Sequence, residues 1–543
     1  MKTIKYLAYS LSLLLLISGC KQEDIDLQDP CAVDPENCAP DTSCEDAEAG
    51  TANFTKFVVL GNSYTAGFQA GALFTKGQQN SLGAIVANQL KCVNTELVFN
   101  QPDINSVNGY NLQSSAPPTL ILGRLFLFDP DGSGPRTPAP AAAGMPATAT
   151  TCPSAVNTPA SPAPYNTADL PAPYAGDKAK LNNFSVPLIQ LGQALIKETG
   201  GPSTANPYYN PLYARFASNP GSSKLIEDAL GAAGSFYLVW LGFDDVLLYA
   251  ATGADGTYPM TGSEDFAGYY SQMISSMLGA NPIFKGVVGN IPDFTSLPYF
   301  YTVAWNQITL DATTAGALKT NLADKYNGFL TLMVANGIIS EEEKTKRTLN
   351  YVAGKNPILL TDETLTDLST YMTGEAAALA PYARARQTTA QDLVPLAAGS
   401  VLGTCYMNSP NAVFGVSFPV ADKYILIPSE TQAILARTAD FNAAINAAVE
   451  DSDGRLTVAD VRSTYNAFVA AKGAIQDNVY MTPNFAPPTG IFSEDGLHPN
   501  SRGYAFTANI FIDAINAKFG SSIPKAKLGN YGITALPVSP PAP

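Results

Sequence analysis

Residues 56–67 have the sequence KFVVLGNSYTAG, in which a short apolar run is followed at once by a polar, glycine-bounded turn. The run at 56–60 is typical of a buried β-strand, and Ser63 then falls where such a strand would turn into a helix. In a parallel sheet this is the carboxyl edge, where open α/β folds bind ligands. A helix N-terminus there would favour negative charge developing on the Ser63 hydroxyl. Serine is also a common helix cap, so both roles stay open at this point.

Further apolar runs and helical patterns extend this unit along the chain. Residues 96–99, 235–241, 285–291 and 456–461 are predicted strands. Apolar residues at helical spacing predict helices over 266–277, 429–448 and 504–515. Strands that alternate with helices predict a parallel sheet with helices on both faces.

Two long segments interrupt this alternation. Residues 117–176 are rich in Pro, Ala and Thr, which predicts an ordered excursion on the surface. Residues 311–428 have an interrupted, mainly helical pattern, which predicts an inserted subdomain or cap. The chain from 528 to 543 is Pro-rich and is expected to be extended.

Charge and composition exclude several classes of function. The 543 residues include 31 Lys plus Arg and 46 Asp plus Glu, for a formal charge of −15. This sign, with no basic stripe, argues against binding of nucleic acid. The chain has one histidine, His498, which excludes a metal site built from several imidazoles. We therefore expect no metal and no cofactor.

The only histidine lies in a motif suited to proton transfer. Residues 495–500 have the sequence DGLHPN, so Asp495 precedes His498 by three positions across a glycine-containing turn. An aspartate at this spacing can reach one ring nitrogen, which leaves the other free to take a proton from a nucleophile. The alternative is an Asx-type turn in which the histidine only caps the loop.

The N-terminal segment has the pattern of an export signal. Lys2 and Lys5 precede an apolar run at 11–17 that is too short to span a bilayer. The segment ends ISGC and resembles the lipobox of bacterial lipoproteins, in which Cys20 would be acylated and become the mature N-terminus. The alternative is a secretory signal with an incidental cysteine. The acidic, Pro-containing tether that follows predicts an outer-membrane lipoprotein, facing the cell surface or the periplasm.

Cysteine usage agrees with export, because an oxidising compartment permits disulfides. Besides Cys20, the sequence contains six cysteines: Cys31, Cys38, Cys44, Cys92, Cys152 and Cys405. Their spacing does not choose among the possible pairings.

Four segments together resemble the sequence blocks of the SGNH (GDSL-type) hydrolases. GNSYTAG at 61–67 and DGLHPNSRGYAFTANIFIDAIN at 495–516 are similar to the first and last blocks. NFSVPL at 183–188 and GFDD at 242–245 are degraded versions of the two middle blocks. The resemblance extends from about Phe54 to Phe519. It implies a flavodoxin-like three-layer α/β/α fold with a parallel sheet, plus the helical insertion.

The resemblance also implies a serine esterase. Ser63 would attack an ester carbonyl, His498 would accept and return the proton, and Asp495 would orient the imidazole. The oxyanion hole would be formed by the N–H groups of Ser63 and Leu188 and by the side chain of Asp244.

Two of these positions depart from the family pattern. Leu188 stands where a glycine is expected, although it keeps its N–H. Asp244 stands where an asparagine is expected, and a carboxylate would repel an oxyanion unless Asp245 nearby helps to keep it protonated. Loss of one oxyanion donor typically costs about 10² to 10³ in rate.

The resulting expectation is a signal peptide at 1–19, a tether at 20–52 and an SGNH hydrolase-like domain at 53–527. The expected substrates are carboxylic esters of lipids or of O-acylated glycans, and the expected membrane contact is the lipid anchor. The main alternative is a catalytically weak or inactive lipoprotein that binds glycan or lipid on the same fold. A structural envelope protein is a third class. If Ser63 and His498 do not lie within hydrogen-bond reach in the structure, the enzyme hypothesis loses most of its support.

Overall fold

The computed structural model describes residues 44–113, 119–125 and 172–533. The chain divides into two units, Met1–Glu45 and Asp46–Pro543, and the second carries every element below. The expected signal peptide, Cys20 and most of the tether lie outside the described residues. So do most of the excursion at 117–176 and the last ten residues of the expected tail.

The strands belong to a central parallel sheet and to small antiparallel pairs. In chain order they are β1 Phe57–Gly61, β2 Tyr110–Gln113, β3 Thr119–Leu122, β4 Asn183–Ser185, β5 Phe236–Trp240, β6 Lys285–Gly289, β7 Ile308–Leu310, β8 Gly354–Asn356, β9 Leu359–Thr361, β10 Ala385–Gln387, β11 Leu456–Ala459, β12 Ala474–Gln476 and β13 Val479–Met481. The central sheet has five strands in the order β11-β6-β5-β1-β4, all parallel.

The helices differ widely in length. In chain order they are α1 Ser63–Ala66, α2 Thr75–Gln79, α3 Leu82–Leu90, α4 Pro211–Ala214, α5 Leu225–Gly231, α6 Asp244–Ala251, α7 Ser263–Ala280, α8 Ala312–Leu318, α9 Asp324–Ala335, α10 Glu341–Arg347, α11 Pro428–Glu450, α12 Val461–Ala470 and α13 Ser501–Phe519.

Both faces of the central sheet are covered by protein. Every residue of β1 and β5 is buried, as their continuous apolar sequences predict for strands between two layers. On one face, Phe236 and Trp240 pack against Phe519 and Phe511 of α13. Another group of helices, with α7 against α11, packs together and against the sheet strands. The predicted α/β fold with a parallel sheet is confirmed.

Most predicted elements are present, but the strand predicted at 96–99 is wrong. The second strand of the sheet along the chain is β4 instead. Asn100 lies beside the start of β4. Its carbonyl accepts hydrogen bonds from the N–H groups of both Asn182 and Asn183. Its own N–H donates to the Asn182 side chain. This side-chain contact replaces a regular ladder, so residues 96–99 have no strand partner.

The segment at 311–428 is helical only at its start. The helical part consists of α8, α9 and α10 and ends at Arg347. Short strands and 3₁₀ turns follow up to α11. The change of structure follows the sequence, because Pro357, Pro381 and Pro395 interrupt helical hydrogen bonding beyond that point.

The packed body begins earlier than the expected boundary at 53. Thr51 donates its N–H to the carbonyl of Phe519, and Glu48 donates its N–H to Ser522 Oγ. At the other end, Leu528 is buried, so the body also extends past 527. Among the residues described, no helix combines the length and apolar character needed to cross a membrane.

Candidate active site

Three neighbouring strands bring the first three sequence blocks to one edge of the sheet. Ser63 follows β1, Leu188 follows β4 and Asp244 follows β5. Since β4, β1 and β5 are adjacent and parallel, their carboxyl ends meet at the same edge. This is the edge at which α/β folds bind ligands.

The turn between β1 and α1 places Ser63 at the first position of the helix. Asn62 is the helix cap, because its Oδ1 accepts from the N–H of Tyr64 at 3.1 Å. The alternative role of Ser63 as the cap is therefore wrong. Gly61 makes the tight turn possible, since a Cβ there would lie 2.1 Å from Thr65 Oγ1. Ser63 itself is fully buried.

Leu188 contacts the Ser63 hydroxyl through its backbone. Its N–H donates to Ser63 Oγ at 2.9 Å. Leu188 has φ of 58°, in the left-handed region that favours glycine. The glycine expected at this position thus has a physical reason, and Leu188 meets the same backbone requirement at the cost of some strain.

Asp495 both orients His498 and shapes its loop. Asp495 Oδ2 lies 2.8 Å from His498 Nδ1 and also accepts from the N–H of Gly71 at 2.8 Å. Its Oδ1 accepts from the N–H groups of Leu497 and His498, each at 2.8 Å. The Asx-type turn and the ring contact are therefore both present, one on each carboxylate oxygen. Burial opposes ionisation, but His498 and these hydrogen bonds outweigh it and lower the pKa of Asp495.

The His498 ring lies against the helix that carries Ser63. Its centroid is 5.3 Å from that of Tyr64 and 4.9 Å from that of Phe68. Its Nε2 is buried and has no hydrogen-bond partner among the described residues, Ser63 Oγ included. The structure thus forms the Asp495–His498 pair but not the Ser63–His498 hydrogen bond. In ligand-free sites such bonds are often long and tighten only with substrate.

Asp244 is a buried acid at the start of α6. Burial, followed by the charge of Asp245, raises its pKa well above the usual value, and Asn62 opposes this weakly. Neither Asp244 Oδ2 nor Asn62 Nδ2 has a hydrogen-bond partner within the described ranges. A protonated Asp244 is a hydrogen-bond donor, so its chemistry approaches that of the asparagine expected there.

Asp245 is held by groups on two sides. Its carboxylate accepts from the N–H of Leu191 at 2.8 Å and from Thr261 Oγ1 at 2.5 Å. Burial raises the pKa of Asp245 to about 7 against the effect of these hydrogen bonds. Burial thus opposes the ionisation of both acids.

Sequence reasoning missed the residues that hold the histidine loop in place. Tyr64 donates its hydroxyl to the carbonyl of Leu497 at 2.6 Å. Ser493 Oγ accepts from the N–H of Ala70 at 2.8 Å and donates to Asp495 Oδ1 at 3.1 Å. The signal for Tyr64 was its place inside the GNSYTAG block, whereas nothing in the sequence singled out Ser493.

The candidate site is enclosed in this conformation. Ser63, Asp495 and His498 are all buried. The N–H of Tyr299 donates to the carbonyl of Gly496 at 2.9 Å, so the chain after β6 packs on the histidine loop. Beside Leu188 there is a small cavity of about 60 Å³. The Ser63 hydroxyl is therefore shielded from solvent in this conformation.

One cluster of side chains has metal-ligand geometry. Carboxylate oxygens of Glu363, Asp422 and Glu430 lie within 4.8 Å of one another. Burial first, and then the neighbouring acids, raises the pKa of Asp422 to about 9. Burial also raises the pKa of Glu430 to about 7. Shared protons can therefore hold these acids together, and the cluster includes none of the candidate active-site residues.

No protein-family model, curated protein or solved structure matches this chain. The family resemblance therefore rests on residues 61–67, 183–188, 242–245 and 495–516. The site that these segments form contains a serine, a histidine–aspartate pair and a backbone N–H directed at the serine.

Proposed function

We propose that the chain is an SGNH-type serine esterase that hydrolyses carboxylic esters of lipids or glycans. The observation that carries the proposal is the pairing of His498 Nδ1 with Asp495 Oδ2, which leaves a buried, unpartnered Nε2 beside the Ser63 helix. An imidazole oriented by a carboxylate, with its second nitrogen open, is arranged for general base catalysis.

In the proposed reaction, Ser63 Oγ attacks the ester carbonyl carbon while His498 Nε2 takes its proton. Asp495 stabilises the imidazolium, and the carbonyl oxygen becomes an oxyanion. Collapse of this intermediate breaks the bond to the alcohol, which receives the proton from His498. Water, deprotonated by His498, then attacks the acyl-enzyme. The bond from the acyl carbon to Ser63 Oγ breaks, Ser63 Oγ receives the proton back from His498, and the acid is released.

The proposed oxyanion donors are the N–H groups of Ser63 and Leu188 and the protonated carboxyl of Asp244. In the present conformation, Leu188 N–H donates to Ser63 Oγ. When Ser63 turns towards His498, that N–H is released and can donate to the oxyanion. The raised pKa of Asp244 supports its role as a donor.

We propose a flavodoxin-like topology for the three-layer domain. Numbered along the chain, the five sheet strands have the order 2-1-3-4-5, which supports this topology. The segment at 311–428, inserted before β11, is proposed as a cap that contributes to the walls of the site. Leu396 supports this, because its Cδ2 would lie 3.5 Å from a Cβ at Gly496.

We further propose that the protein is an outer-membrane lipoprotein anchored through acylated Cys20. The signal-like N-terminus and the lipobox resemblance support this location. The disulfide bonds of Cys44, Cys92 and Cys405 support an oxidising compartment. Exposure at the cell surface and a periplasmic position are both compatible with these features.

The second candidate is a binding lipoprotein without activity on the same scaffold. The complete burial of Ser63 and the missing Ser63–His498 hydrogen bond favour it. In that case the inherited cleft would hold a glycan or lipid without cleaving it.

Hydrolysis of para-nitrophenyl acetate and octanoate by wild type and Ser63→Ala tests the proposal. We expect wild type to release nitrophenol and to be labelled by a fluorophosphonate, with both signals lost in Ser63→Ala. Ser81→Ala is the matched control, because Ser81 caps α3 outside the candidate catalytic set. Equal hydrolysis by wild type and Ser63→Ala, with no labelling, would contradict the esterase and favour the binding protein.

A further inference from the structure

A second cavity lies outside the candidate active site. It is a groove of about 590 Å³ formed by α8, the turn after it and the segments around 378–382 and 410–417. None of Ser63, Leu188, Asp244, Asp495 or His498 lines it. Its volume is within the range of small-molecule sites, about 300–1,000 Å³.

The floor of the groove is apolar. Five buried apolar residues line it: Leu310, Leu322, Leu379, Val413 and Val416. Side chains of this kind offer dispersion contacts and no hydrogen bonds. The floor therefore suits an alkyl chain better than a sugar or a nucleotide.

The wall on one side is formed by an irregular helical turn. Lys319–Ala323 is a π-helical turn that joins α8 to α9, and such turns are frequent at functional sites. This turn contributes Leu322 to the lining, and the flanking helices α8 and α9 contribute Leu318 and Lys325. The lining therefore combines apolar side chains with an ammonium group.

Charge at the groove contrasts with the rest of the chain. Among the described residues that line it, Lys325 is the only charged one, in a chain with a formal charge of −15. Lys325 is exposed and has no ion pair within the described part of the chain. Its neighbour Lys319, which does not line the groove, pairs with Asp324 at 2.8 Å. Lys325 is thus available to a ligand, whereas Lys319 is already neutralised.

The opposite wall is fixed before any ligand arrives. Ser417 Oγ donates to the carbonyl of Asn411 and accepts from the N–H of Val413. Tyr382 donates its hydroxyl to the carbonyl of Ser417, and Tyr351 donates its hydroxyl to that of Val416. A pre-formed wall lowers the ordering cost of binding.

We propose that this groove binds a single-chain fatty acid, with its carboxylate at Lys325 and its alkyl chain along the apolar floor. The proposal is independent of the esterase chemistry at Ser63. One alkyl chain matches the volume, whereas a protein partner would need a surface of about 800 Å² on each side. Charge complementarity selects an anionic head over a neutral or cationic one.

Calorimetric titration of the full chain with decanoate and dodecanoate, below their micelle concentrations, tests the proposal. Dodecanol and dodecylamine serve as neutral and cationic probes of the same length. We expect one site, with affinity rising about fourfold for each added methylene. Dodecanoate should bind more tightly than dodecanol, and dodecylamine least tightly.

Substitutions at Lys325 and Ala317 test the contacts of the carboxylate and of the alkyl chain separately. Lys325→Gln should weaken dodecanoate about three- to fivefold and leave dodecanol unchanged, while Lys319→Gln, the matched control, should change neither. Ala317→Trp, at an exposed position that lines the groove, should weaken both probes at least about tenfold by filling it.

Several results would overturn the proposal. These are no saturable binding, equal affinity for dodecanoate and dodecanol, or equal effects of the Lys325 and Lys319 substitutions. A dimer in sedimentation that Ala317→Trp dissociates would also overturn it, since a second copy of the chain would then occupy the groove. Loss of ester hydrolysis in Ser63→Ala with unchanged dodecanoate binding would keep the two sites distinct.

Discussion

The backbone N–H of Leu188 donates to Ser63 Oγ across 2.9 Å, so a proposed oxyanion donor now holds the proposed nucleophile. Leu188 reaches this position only with φ of 58°. The contact depends on the backbone and not on the leucine side chain. Substitutions that change backbone preference should therefore affect stability and activity differently.

Leu188→Gly and Leu188→Val form a matched pair for this residue. Glycine adopts the left-handed conformation without strain, whereas a β-branched residue resists it. We expect the free energy of unfolding of Leu188→Val to be about 1–2 kcal/mol below that of Leu188→Gly. Urea denaturation measures the difference. Both variants should retain ester hydrolysis, because both keep the N–H. Equal free energies of unfolding for the two variants would show that the left-handed backbone conformation at residue 188 costs no measurable stability.

Asp495→Asn should uncouple His498 from its orienting group. An amide nitrogen cannot accept a hydrogen bond. The substitution therefore removes either the Oδ2 contacts with the His498 ring and Gly71 or the Oδ1 contacts with the N–H groups of Leu497 and His498. We expect ester hydrolysis to fall by about 10³ to 10⁴. Steady-state kinetics on para-nitrophenyl acetate measures this, and a loss below tenfold would contradict the role of Asp495.

The same variant should alter the pH dependence of stability. The pKa of Asp495 is lower in the folded protein than in the unfolded chain. Its stabilising effect is therefore complete above the usual value of 3.8 and is lost as the pH falls towards the lowered value. We expect the free energy of unfolding of wild type to exceed that of Asp495→Asn by about 2 kcal/mol at pH 7 and by less near pH 3. Urea denaturation across this range would contradict us if the gap stayed constant.

Asp244→Asn tests the buried acid at the start of α6. The pKa of Asp244 is raised in the folded protein, so its ionisation opposes folding. Wild type should lose stability relative to Asp244→Asn as the pH rises above the usual value of 3.8. In activity, the ratio of kcat/KM for Asp244→Asn to that of wild type should rise with pH, because only the acid becomes an oxyanion-repelling carboxylate. A ratio that stays flat or falls as the pH rises would exclude Asp244 from the oxyanion hole.

Tyr64→Phe tests a positioning residue. The substitution keeps the ring against His498 but removes the hydrogen bond to Leu497. We expect about a tenfold loss in kcat with little change in KM, since the loop and not the substrate is affected. Because the chain has one histidine, its imidazole proton signals report on this site alone. Those signals should shift in Tyr64→Phe. Tyr465→Phe, which removes the hydrogen bond between a buried tyrosine hydroxyl and Thr507, should leave them unchanged.

The sequence predicted the central sheet well because its strands have a distinctive composition. β5 is a continuous apolar run and β6 is apolar after Lys285, a composition typical of strands covered on both faces. β4 was harder to predict, since Asn183–Ser185 has three residues and two of them are polar. Its strand character comes from pairing with β1, which a local pattern does not contain.

The sequence predicted which residues form the candidate site, but not the hydrogen bond and the burial of Ser63 in the folded chain. The spacing of Asp495 and His498 specified their contact, because three positions across a turn bring the groups together. The hydrogen bond from Leu188 to Ser63, by contrast, joins residues 125 positions apart and depends on a positive φ. The burial of Ser63 depends on segments from several parts of the chain.

The contact between Tyr64 and Leu497 spans 433 positions, so the two halves of the candidate site come from segments far apart in the sequence. Synthesis therefore produces Ser63 long before His498. Under the proposed function, an incomplete or still-threading chain has a serine without its base and is inert. An enzyme of this design would begin to cleave esters only once the segment that carries His498 had been made and had folded against the Ser63 helix.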